Sequence, residues 1–271
     1  MLGRPAAAAH QLIATSGLAE FEARALLALV LDLARESLIA HPSRAVGETA
    51  AARFRELCQR RRAGEPMAYL LGAREFFGRR FRVDRSVLVP RPETECLIDL
   101  ALQVLSGQSR PSVLDLGTGS GCIAITLALE RPDAVLWATD VSKPALDLAR
   151  TNARELGAHV RFLNGDWYGA APGRFDLIVS NPPYIAGGDP HLAALHDEPR
   201  LALTDGYDGL SCLRLIIGQA GAHLTGHGAL VVEHGHDQGA AVRELLQQNG
   251  LRSIRTCTDL AGLERACLAR R

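Results

Sequence analysis

The sequence predicts an α/β domain with a seven-stranded, doubly wound sheet, preceded by a small helical domain. Three observations carry this prediction. From residue 112 onward, strand-like and helix-like segments alternate, as in parallel βαβ units. The first part of the chain, about seventy residues, shows only helical periodicity. The last two strand-like segments lie too close in the chain for a crossover, so they must pair antiparallel as a hairpin at the sheet edge.

The helical domain is expected over residues 1–73. Its first strong segment has apolar residues at three- and four-residue steps over 21–33, and Ser16 is in a position to cap it. A second helix is predicted over residues 49–62. It ends in three consecutive arginines, Arg60–Arg62, which suit the negative end of a helix dipole or could form a partner-binding patch.

Residues 74–90 change character, and their aromatic and β-branched residues around Gly78 predict a hairpin or an extended linker between the domains. The second domain is expected over residues 91–271 and begins with a helix after Glu93-Thr94-Glu95. The predicted strands are Ser112–Leu116, Val135–Thr139, Val160–Leu163, Phe175–Ser180, Ala229–Glu233, Arg252–Thr258 and Ala266–Arg270. The predicted helices are 121–131, 142–156, 209–224 and 237–249.

The bulk composition excludes several classes of protein. Thirty basic and thirty acidic residues give a formal net charge of zero, so no overall field draws the chain to nucleic acid or to an anionic membrane. No apolar run approaches the ~18 residues of a membrane span, and the N-terminus lacks a signal-peptide core. The six cysteines include no C-x-x-C pair, which favours buried thiols over disulfides or a zinc site. A cytoplasmic protein is expected.

Three glycines alternate in the loop that follows the first strand of the second domain, Gly117-Thr118-Gly119-Ser120-Gly121. Glycine is required where the backbone turns sharply and lets a ligand approach closely. By itself the loop is a weak signal, because an ordinary tight βα turn has the same pattern. The alternate spacing suits a methionine moiety better than the dinucleotide pattern G-x-G-x-x-G does. It favours S-adenosylmethionine over NAD without excluding NAD.

Two further residues fit such a cofactor. Asp140 ends the next predicted strand, nineteen residues after Gly121, where a carboxylate can accept hydrogen bonds from both ribose hydroxyls. Trp167 follows a later strand end and is expected to contact the adenine. The pair His234 and His236 has no third ligand at a fitting spacing, so we interpret both as loop histidines and predict no metal.

The strongest chemical signal is Asn181-Pro182-Pro183-Tyr184, which directly follows a predicted strand. The side-chain carbonyl of Asn181 and the main-chain carbonyl of Pro182 offer two acceptors, which suit the two hydrogens of a planar NH₂ group. The successive prolines fix the turn, and Tyr184 can stack on the planar group and exclude water.

These acceptors answer a chemical problem. A carboxamide nitrogen is a poor nucleophile because its lone pair is delocalised into the carbonyl. Accepting a hydrogen bond from each N–H group raises the electron density on nitrogen and aligns it with the methyl donor. Alignment alone can lower the barrier by up to roughly 7–11 kcal/mol. Asn181, Pro182 and Tyr184 are therefore predicted to be catalytic.

The motifs together resemble the release-factor glutamine N5-methyltransferases of the PrmC/HemK type, a family of class I S-adenosylmethionine-dependent methyltransferases. The resemblance extends over nearly the full length and shows no departure at the motif positions. Besides the glycine loop, Asp140 and N-P-P-Y, the matching stretches are Glu65–Gly72, Glu75–Gly78, Leu88–Glu95, Asn164–Trp167, Glu198–Arg200, Asp208–Leu210, Glu233–Gly235 and Asp259–Arg265.

The resemblance implies a seven-stranded Rossmann-like methyltransferase domain with a small N-terminal helical domain. It implies that Gly117–Gly121, Asp140, Trp167 and Asn181 contact S-adenosylmethionine. It also implies that Asn181–Tyr184 hold the glutamine of a Gly-Gly-Gln loop in class 1 peptide-chain release factors, a protein substrate that the helical domain would help to receive. No direct nucleic-acid requirement and no oligomer are implied.

Three alternatives remain open at the level of sequence. A DNA adenine-N6 methyltransferase uses the same tetrapeptide, but it needs a basic face and a target-reading segment, and neither is evident here. A sister enzyme acting on a glutamine of a ribosomal protein would share the motifs, and only the N-terminal domain would distinguish it. A non-catalytic nucleotide-binding module is disfavoured because Asn181 and Asp140 are both intact.

Overall fold

The computed structural model describes residues 7–259 and 261–271. The chain divides into two compact units, Met1–Ala73 and Arg74–Arg271. The first six residues of the predicted helical domain, and Leu260 of the last matching stretch, lie outside the described residues.

The first unit is a small helical bundle with one short two-stranded sheet. Its elements are β1 (Ala7–Ala8), α1 (Ala9–Ala14), α2 (Glu20–Leu31), α3 (Arg35–Ala40), β2 (Ala45–Val46), α4 (Glu48–Arg62) and α5 (Met67–Leu71). Leu26 and Leu27 of α2 pack with Phe54 and Leu57 of α4 in its core. The expected cap at Ser16 is wrong. Its hydroxyl donates to the carbonyl of Ile13 at 2.7 Å, and α2 begins later, at Glu20.

The arginine run at the end of α4 is tied into this unit. The guanidinium of Arg60 donates to both carboxylate oxygens of Glu65 at 2.8 and 2.7 Å. Arg61 reaches across to Glu22 of α2, with two hydrogen bonds of 3.0 and 2.8 Å to one carboxylate oxygen. Two of the three arginines therefore stabilise the packing within the unit, which leaves little of the run for a partner.

The second unit begins with a hairpin of β3 (Ala73–Phe76) and β4 (Arg79–Arg82). Its two-residue turn, Phe77-Gly78, has φ of 49° and 69°, the left-handed pair that matches the twist of a hairpin. Phe76 and Phe81 pack edge to face, with ring centroids 6.1 Å apart, and both are buried in the core of the second unit. The hairpin thus belongs to that unit and is more than a linker.

A seven-stranded sheet flanked by helices forms the rest of the second unit. After a short 3-10 turn, Pro92–Thr94, the chain continues through α6 (Glu95–Leu105), β5 (Ser112–Leu116), α7 (Cys122–Glu130), β6 (Val135–Asp140), α8 (Lys143–Leu156), β7 (Val160–Asn164), β8 (Phe175–Ser180), α9 (Ser211–His223), β9 (Leu224–Glu233), α10 (Gly239–Gln248), β10 (Arg252–Thr258) and β11 (Glu264–Arg270). Further 3-10 turns lie at Trp167–Ala170, Pro190–Leu195 and Arg200–Ala202.

The strand order is β10-β11-β9-β8-β5-β6-β7. Strands β5 to β9 run parallel, whereas β11 is antiparallel to both β9 and β10. The predicted doubly wound fold with a terminal hairpin is confirmed. The chain moves outward from β5 to β6 and β7, then returns to place β8 on the other side of β5. This reversal is the point at which open α/β sheets bind ligands, beyond the carboxyl ends of the strands.

Both faces of the sheet are covered, and the strands are correspondingly apolar on both sides. Along β5 and β8, neighbouring residues alternate between two cores, since Val113 and Val179 face one side while Leu114 and Ile178 face the other. Helices α6 and α7 cover the first face, and α9 and α10 cover the second. This packing holds the strand ends rigidly in one plane.

Candidate active site

The loop after β5 has a backbone that only glycine adopts easily. Gly117, Gly119 and Gly121 have φ of 69°, 54° and 82°, in the left-handed region that strains a residue with a Cβ. The loop is fastened to the end of β6, because the N–H groups of Gly117 and Thr118 both donate to the carbonyl of Thr139, at 2.9 and 3.0 Å. The ends of β5 and β6 are thereby locked together.

The third glycine serves packing. An added Cβ on Gly121 would lie 2.7 Å from the δ-methyl of Ile125 and 3.1 Å from the Cβ of Ala149 on α8. Gly121 therefore lets α7 begin close to its neighbouring helix. Gly117 has a different role, since a Cβ there would come within 3.4 Å of the Trp167 ring.

Asp140 lies at the end of β6 and accepts one backbone hydrogen bond on each carboxylate oxygen. Gly119 N donates to Oδ2 and Ser142 N donates to Oδ1, both at 2.8 Å. Burial raises the pKa of Asp140, while these N–H groups act against the rise. Each oxygen keeps a further lone pair. The carboxylate is thus held in place with acceptor capacity left for a diol.

Trp167 stands beyond the end of β7 with φ of 44°. The hydroxyl of Thr139 donates to its main-chain carbonyl at 3.0 Å. This bond fixes the unusual backbone and lays the ring against Gly117. Three successive strand ends, those of β5, β6 and β7, therefore converge.

Asp115 lies beneath the loop and is fully buried. Its Oδ2 accepts from the hydroxyl of Thr118 at 2.6 Å and from the N–H of Ala124 at 3.2 Å. It thereby joins the loop to the first turn of α7. Burial raises the pKa of Asp115 to about 7, and the nearby charge of Asp140 acts in the same direction.

The tetrapeptide Asn181–Tyr184 follows β8 directly, beside the glycine loop. β5 and β8 are parallel neighbours, with Leu116 opposite Ser180, and the hydroxyl of Ser180 donates to the carbonyl of Leu116 at 2.8 Å. The side-chain amide of Asn181 donates from Nδ2 to the hydroxyl of Thr94 at 3.1 Å. The Oδ1 acceptor of Asn181 is therefore on the opposite side of the amide, away from Thr94.

Tyr184 points toward the sheet. Its hydroxyl donates to Oε1 of Glu233, the last residue of β9, at 3.0 Å. Glu233 is buried, and burial raises its pKa to about 7, whereas the hydroxyls of Thr94 and Tyr184 act to lower it. The structure thus binds the hydroxyl end of Tyr184 to Glu233, and the predicted stacking of its ring on a planar group stays a prediction.

Two carboxylates hold together the segments around the site. Buried Glu198 accepts from the N–H of Val89 at 3.0 Å and pairs with Arg91, which joins two distant segments. Asp205 accepts from Tyr207 N at 2.8 Å on Oδ1 and from Ser211 N at 2.8 Å on Oδ2. It thereby folds the turn that leads into α9.

These elements enclose a cavity of about 430 Å³, within the range of roughly 300–1,000 Å³ that is usual for small-molecule sites. Its charged lining residues are Arg91, Asp140, Asp166 and Asp205, and Arg91 is already paired. The excess of carboxylate favours a ligand with a sulfonium and an ammonium group over one with two phosphates. The residues present therefore fit S-adenosylmethionine better than NAD.

The structure brings most of the predicted site residues to this cavity. Those lining it are Gly117, Thr118, Gly119, Ser120, Asp140, Trp167, Asn181 and Pro183. Gly121, Pro182 and Tyr184 stand behind the lining: Gly121 packs against α8, and Tyr184 reaches Glu233. The roles assigned to these residues remain predictions.

Sequence reasoning gave no role to Thr94, Glu198, Asp205 and Glu233. Three of them lie in stretches that match the family, Leu88–Glu95, Glu198–Arg200 and Glu233–Gly235, so a signal was present without a function attached. Asp205 precedes a helix in a segment rich in aspartate and glycine, which is a recognisable turn and helix-start pattern.

Other residues singled out in the sequence lie away from the cavity. His234 is buried instead of solvated, with Nδ1 2.8 Å from the carbonyl of Gly235 and Nε2 3.4 Å from Sγ of Cys267. Within the described residues, no group of three or more side chains could hold a metal ion. All six cysteines are free thiols.

Solved structures with this architecture include other methyltransferases. The chain is similar to a methyltransferase from Pyrococcus furiosus, with a TM-score of 0.53, 20% identity, and coverage of 72% of this chain and 90% of that one. It is also similar to the 16S rRNA N2 G1207 methyltransferase of T. thermophilus in complex with AdoMet and guanosine. That match has a TM-score of 0.56 and 19% identity, and covers 73% and 49% of the two chains. These likenesses show that the second unit has the Rossmann-like fold of class I methyltransferases.

Sequence comparison identifies the family. Residues 97–198 match the methyltransferase small domain, and residues 6–72 match the PrmC N-terminal domain. The release factor glutamine methyltransferase of Bordetella pertussis is 53% identical, covering 94% of this chain and 96% of the relative. That of Burkholderia pseudomallei is 51% identical, covering 96% and 95%. The chain belongs to the release factor glutamine methyltransferase family, which confirms the resemblance drawn from its motifs.

The described part of the chain contains no helix that is both long enough and apolar enough to cross a membrane.

The role of Asp140 can be tested by calorimetry. Because the carboxylate both orders the loop and keeps acceptor capacity for a ribose, Asp140→Ala should weaken S-adenosylmethionine binding by about 10–100-fold. The matched control is Asp147→Ala on α8, where the side chain is exposed and pairs with Arg150. This variant should bind S-adenosylmethionine with the native affinity. Native affinity in Asp140→Ala would remove the residue from the site.

Proposed function

We propose that this protein transfers a methyl group from S-adenosylmethionine to N5 of a glutamine side chain, that of the Gly-Gly-Gln motif in class 1 peptide-chain release factors. The observation that supports this most directly is the orientation of the Asn181 amide. Its NH₂ is bound to Thr94, so its carbonyl oxygen is left to accept from a substrate N–H. The names of the relatives supply the identity of the substrate.

An amide substrate explains the choice of acceptors. Asn181 Oδ1 takes one hydrogen of the glutamine NH₂, and the carbonyl of Pro182 takes the other. Both acceptors are neutral, which suits a neutral substrate whose nitrogen carries its two hydrogens until attack. Forming the N–CH₃ bond would break the methyl–sulfur bond, and the nitrogen would then release one of its two hydrogens as a proton to solvent. When bound, S-adenosylmethionine supplies an electrophilic methyl group on a sulfonium. The chain's own contribution is to hold nitrogen in line and raise its electron density.

The substrate is proposed to be a folded protein because the mouth of the cavity is apolar and exposed. Val141, Leu201, Tyr207 and Leu215 line the cavity, yet each leaves about half or more of its surface in solvent. Exposed apolar residues grouped around a pocket are typical of sites that meet another macromolecule. The carboxylate excess inside would repel a nucleic-acid backbone, which weighs against a DNA or RNA substrate.

The helical unit is proposed to dock the release factor. It has its own core, and its exposed apolar side chains include Phe21, Leu29 and Ile39. It matches the PrmC N-terminal domain, which the methyltransferase small domain does not include. Recognition by a second unit would separate a release factor from a ribosomal protein that offers the same amide. We place the activity in the cytoplasm, where release factors act.

Asn181 is the most informative position for the chemistry. Asn181→Ala removes an acceptor used chiefly in the transition state, so the loss should fall on kcat, by about 10²–10³-fold. Asn181→Asp keeps an acceptor but loses the donor to Thr94, and should retain part of the activity. Mass spectrometry of the treated release factor should show one methyl group on glutamine with the native enzyme and little with Asn181→Ala. Methyl on adenine of DNA treated in parallel, or native turnover in Asn181→Ala, contradicts the proposal.

The apolar mouth can be probed at Tyr207, which is 78% exposed. Tyr207→Ala should raise KM for the release factor by about 5–30-fold, as for one interface residue of moderate weight, with a smaller change in cofactor affinity. Leu263→Ala removes another exposed apolar side chain outside the cavity lining and should leave both constants unchanged. If Tyr207→Ala weakens cofactor binding and leaves KM for the release factor unchanged, the apolar mouth contacts the cofactor and not the protein substrate.

Docking by the helical unit predicts the behaviour of a shortened chain, residues 74–271. The cut at Arg74, the first residue of the second unit, keeps Phe76 and Phe81, because both are part of the remaining core. The shortened chain should bind S-adenosylmethionine within about twofold of the native affinity, and lose about tenfold or more in kcat/KM on folded release factor. A short Gly-Gly-Gln peptide is the control, since both forms should methylate it equally. Full activity on the folded protein would place docking elsewhere.

A further inference from the structure

Glu233 lies beside the tetrapeptide because of the strand register. β8 and β9 are parallel, with Ser180 opposite Val232, so Asn181, which follows β8, and Glu233, the last residue of β9, come next in the same register. Glu233 is 1% exposed. It is absent from the cavity lining, and the amide-holding chemistry described so far makes no use of it.

The carboxyl group of Glu233 lies beside two hydroxyls. Tyr184 donates to Oε1 at 3.0 Å, and the Thr94 hydroxyl acts to lower the pKa of Glu233. A hydroxyl has one hydrogen to give, and the Thr94 oxygen already accepts from Nδ2 of Asn181 at 3.1 Å. A Thr94 hydrogen directed to Glu233 would give each bond in the series Asn181, Thr94, Glu233 a single direction.

This arrangement lowers the stability of the folded state. Oε2 of Glu233 is buried, and among the described residues it has no hydrogen-bond partner that meets normal geometry. An unsatisfied buried carboxylate oxygen destabilises the folded state, and an apolar residue would avoid the penalty. Groups kept at such a cost beside a reaction cavity commonly serve the chemistry.

We propose that Glu233 is a positioning residue for methyl transfer: through Thr94 it keeps the Asn181 amide with its NH₂ inward and its carbonyl oxygen toward the substrate, and through Tyr184 it fixes the far end of the tetrapeptide. The proposal rests on the proposed function, since it explains how the glutamine acceptor is kept in one orientation. Without this series, the Asn181 side chain could turn over and present a donor to the substrate NH₂.

The proposal carries a pH dependence with a definite sign. Burial raises the pKa of Glu233 to about 7. Above that pH the carboxylate only accepts; below it, the carboxylic acid can donate to Thr94 or Tyr184 and reverse the series. Turnover should therefore fall as the pH decreases through about 7. The other titratable or charged groups facing Glu233 are Tyr184, Arg265, Glu93, Cys96 and Cys122.

The test uses the full-length enzyme with S-adenosylmethionine and release factor, and measures kcat against pH. Glu233→Gln keeps the shape but adds a donor, so kcat at pH 8.5 should fall about 10–100-fold, with cofactor affinity unchanged. The inflection near pH 7 should disappear. Glu264→Gln, a matched change at a half-exposed residue paired with Arg243, should keep both the native kcat and the inflection.

Thr94 provides a second measurement that leaves the carboxyl group in place. Thr94→Val, of similar shape, should lower kcat to the same extent as Glu233→Gln. Thr94→Ser keeps the hydroxyl and should keep the native kcat. The two losses should not add in the double variant, because both interrupt one series. If Glu233→Gln does not fold, as judged by cofactor binding, the Val and Ser variants at Thr94 decide alone.

Native kcat with the native pH profile in Glu233→Gln, or native kcat in Thr94→Val, overturns the proposal. An inflection that survives in Glu233→Gln also overturns its pH dependence and assigns the titration to another group, such as Asp115. The proposed function is judged separately, by which atom of the substrate the native enzyme methylates. If that atom is not a glutamine nitrogen, the kcat ratios still decide whether Glu233 positions Asn181.

Discussion

The parallel pairing of β5 with β8 is the constraint on which the site depends. It places the ends of two strands that are 64 residues apart in the chain side by side, and the Ser180 hydroxyl closes the gap with a hydrogen bond to Leu116. The glycine loop continues from one strand and the tetrapeptide from the other. A methyl donor and an amide acceptor can therefore be held at neighbouring positions by backbone that is already rigid, so little ordering is left for the moment of reaction. Apolar packing on both faces of the sheet supplies that rigidity.

The site also concentrates carboxyl groups where the fold would be more stable without them. Asp115 and Glu233 are both buried, each at the end or near the end of a central strand, and burial raises the pKa of each to about 7. Asp115 orders the glycine loop through Thr118, and Glu233 orders the tetrapeptide through Tyr184. The two halves of the site thus use the same device. In each half, a buried carboxyl group accepts a hydrogen bond from a hydroxyl, and this bond fixes the position of the loop that lines the cavity.

Much of this could be predicted from the sequence because the signals are local. The alternation of strands and helices gave the doubly wound sheet and its terminal hairpin, and Asp140 and Asn181 could be placed because strand ends are visible in the pattern. The predicted cap of α2 at Ser16 was wrong, because the Ser16 hydroxyl donates to the preceding carbonyl of Ile13. The local sequence pattern does not distinguish that bond from a helix cap. The pairing of Arg61 with Glu22 spans 39 residues, and the contact of Asn181 with Thr94 spans 87. Such contacts depend on packing and leave no periodic trace, so the supporting residues of the site were missed while its exposed motifs were found.

The loop that carries the tetrapeptide is held in place by its own hydrogen bonds to Gln238. Gln238 donates from one amide nitrogen to the carbonyls of Tyr184 and Gly209, at 2.9 and 3.3 Å, and a Cβ on Gly209 would lie only 2.3 Å from the Tyr184 carbonyl. The cofactor half is braced by a separate set of bonds around Thr139 and Asp140. Two separately braced loops thus meet at one cavity, so a substitution that reshapes the tetrapeptide loop can leave intact the bonds that hold the glycine loop.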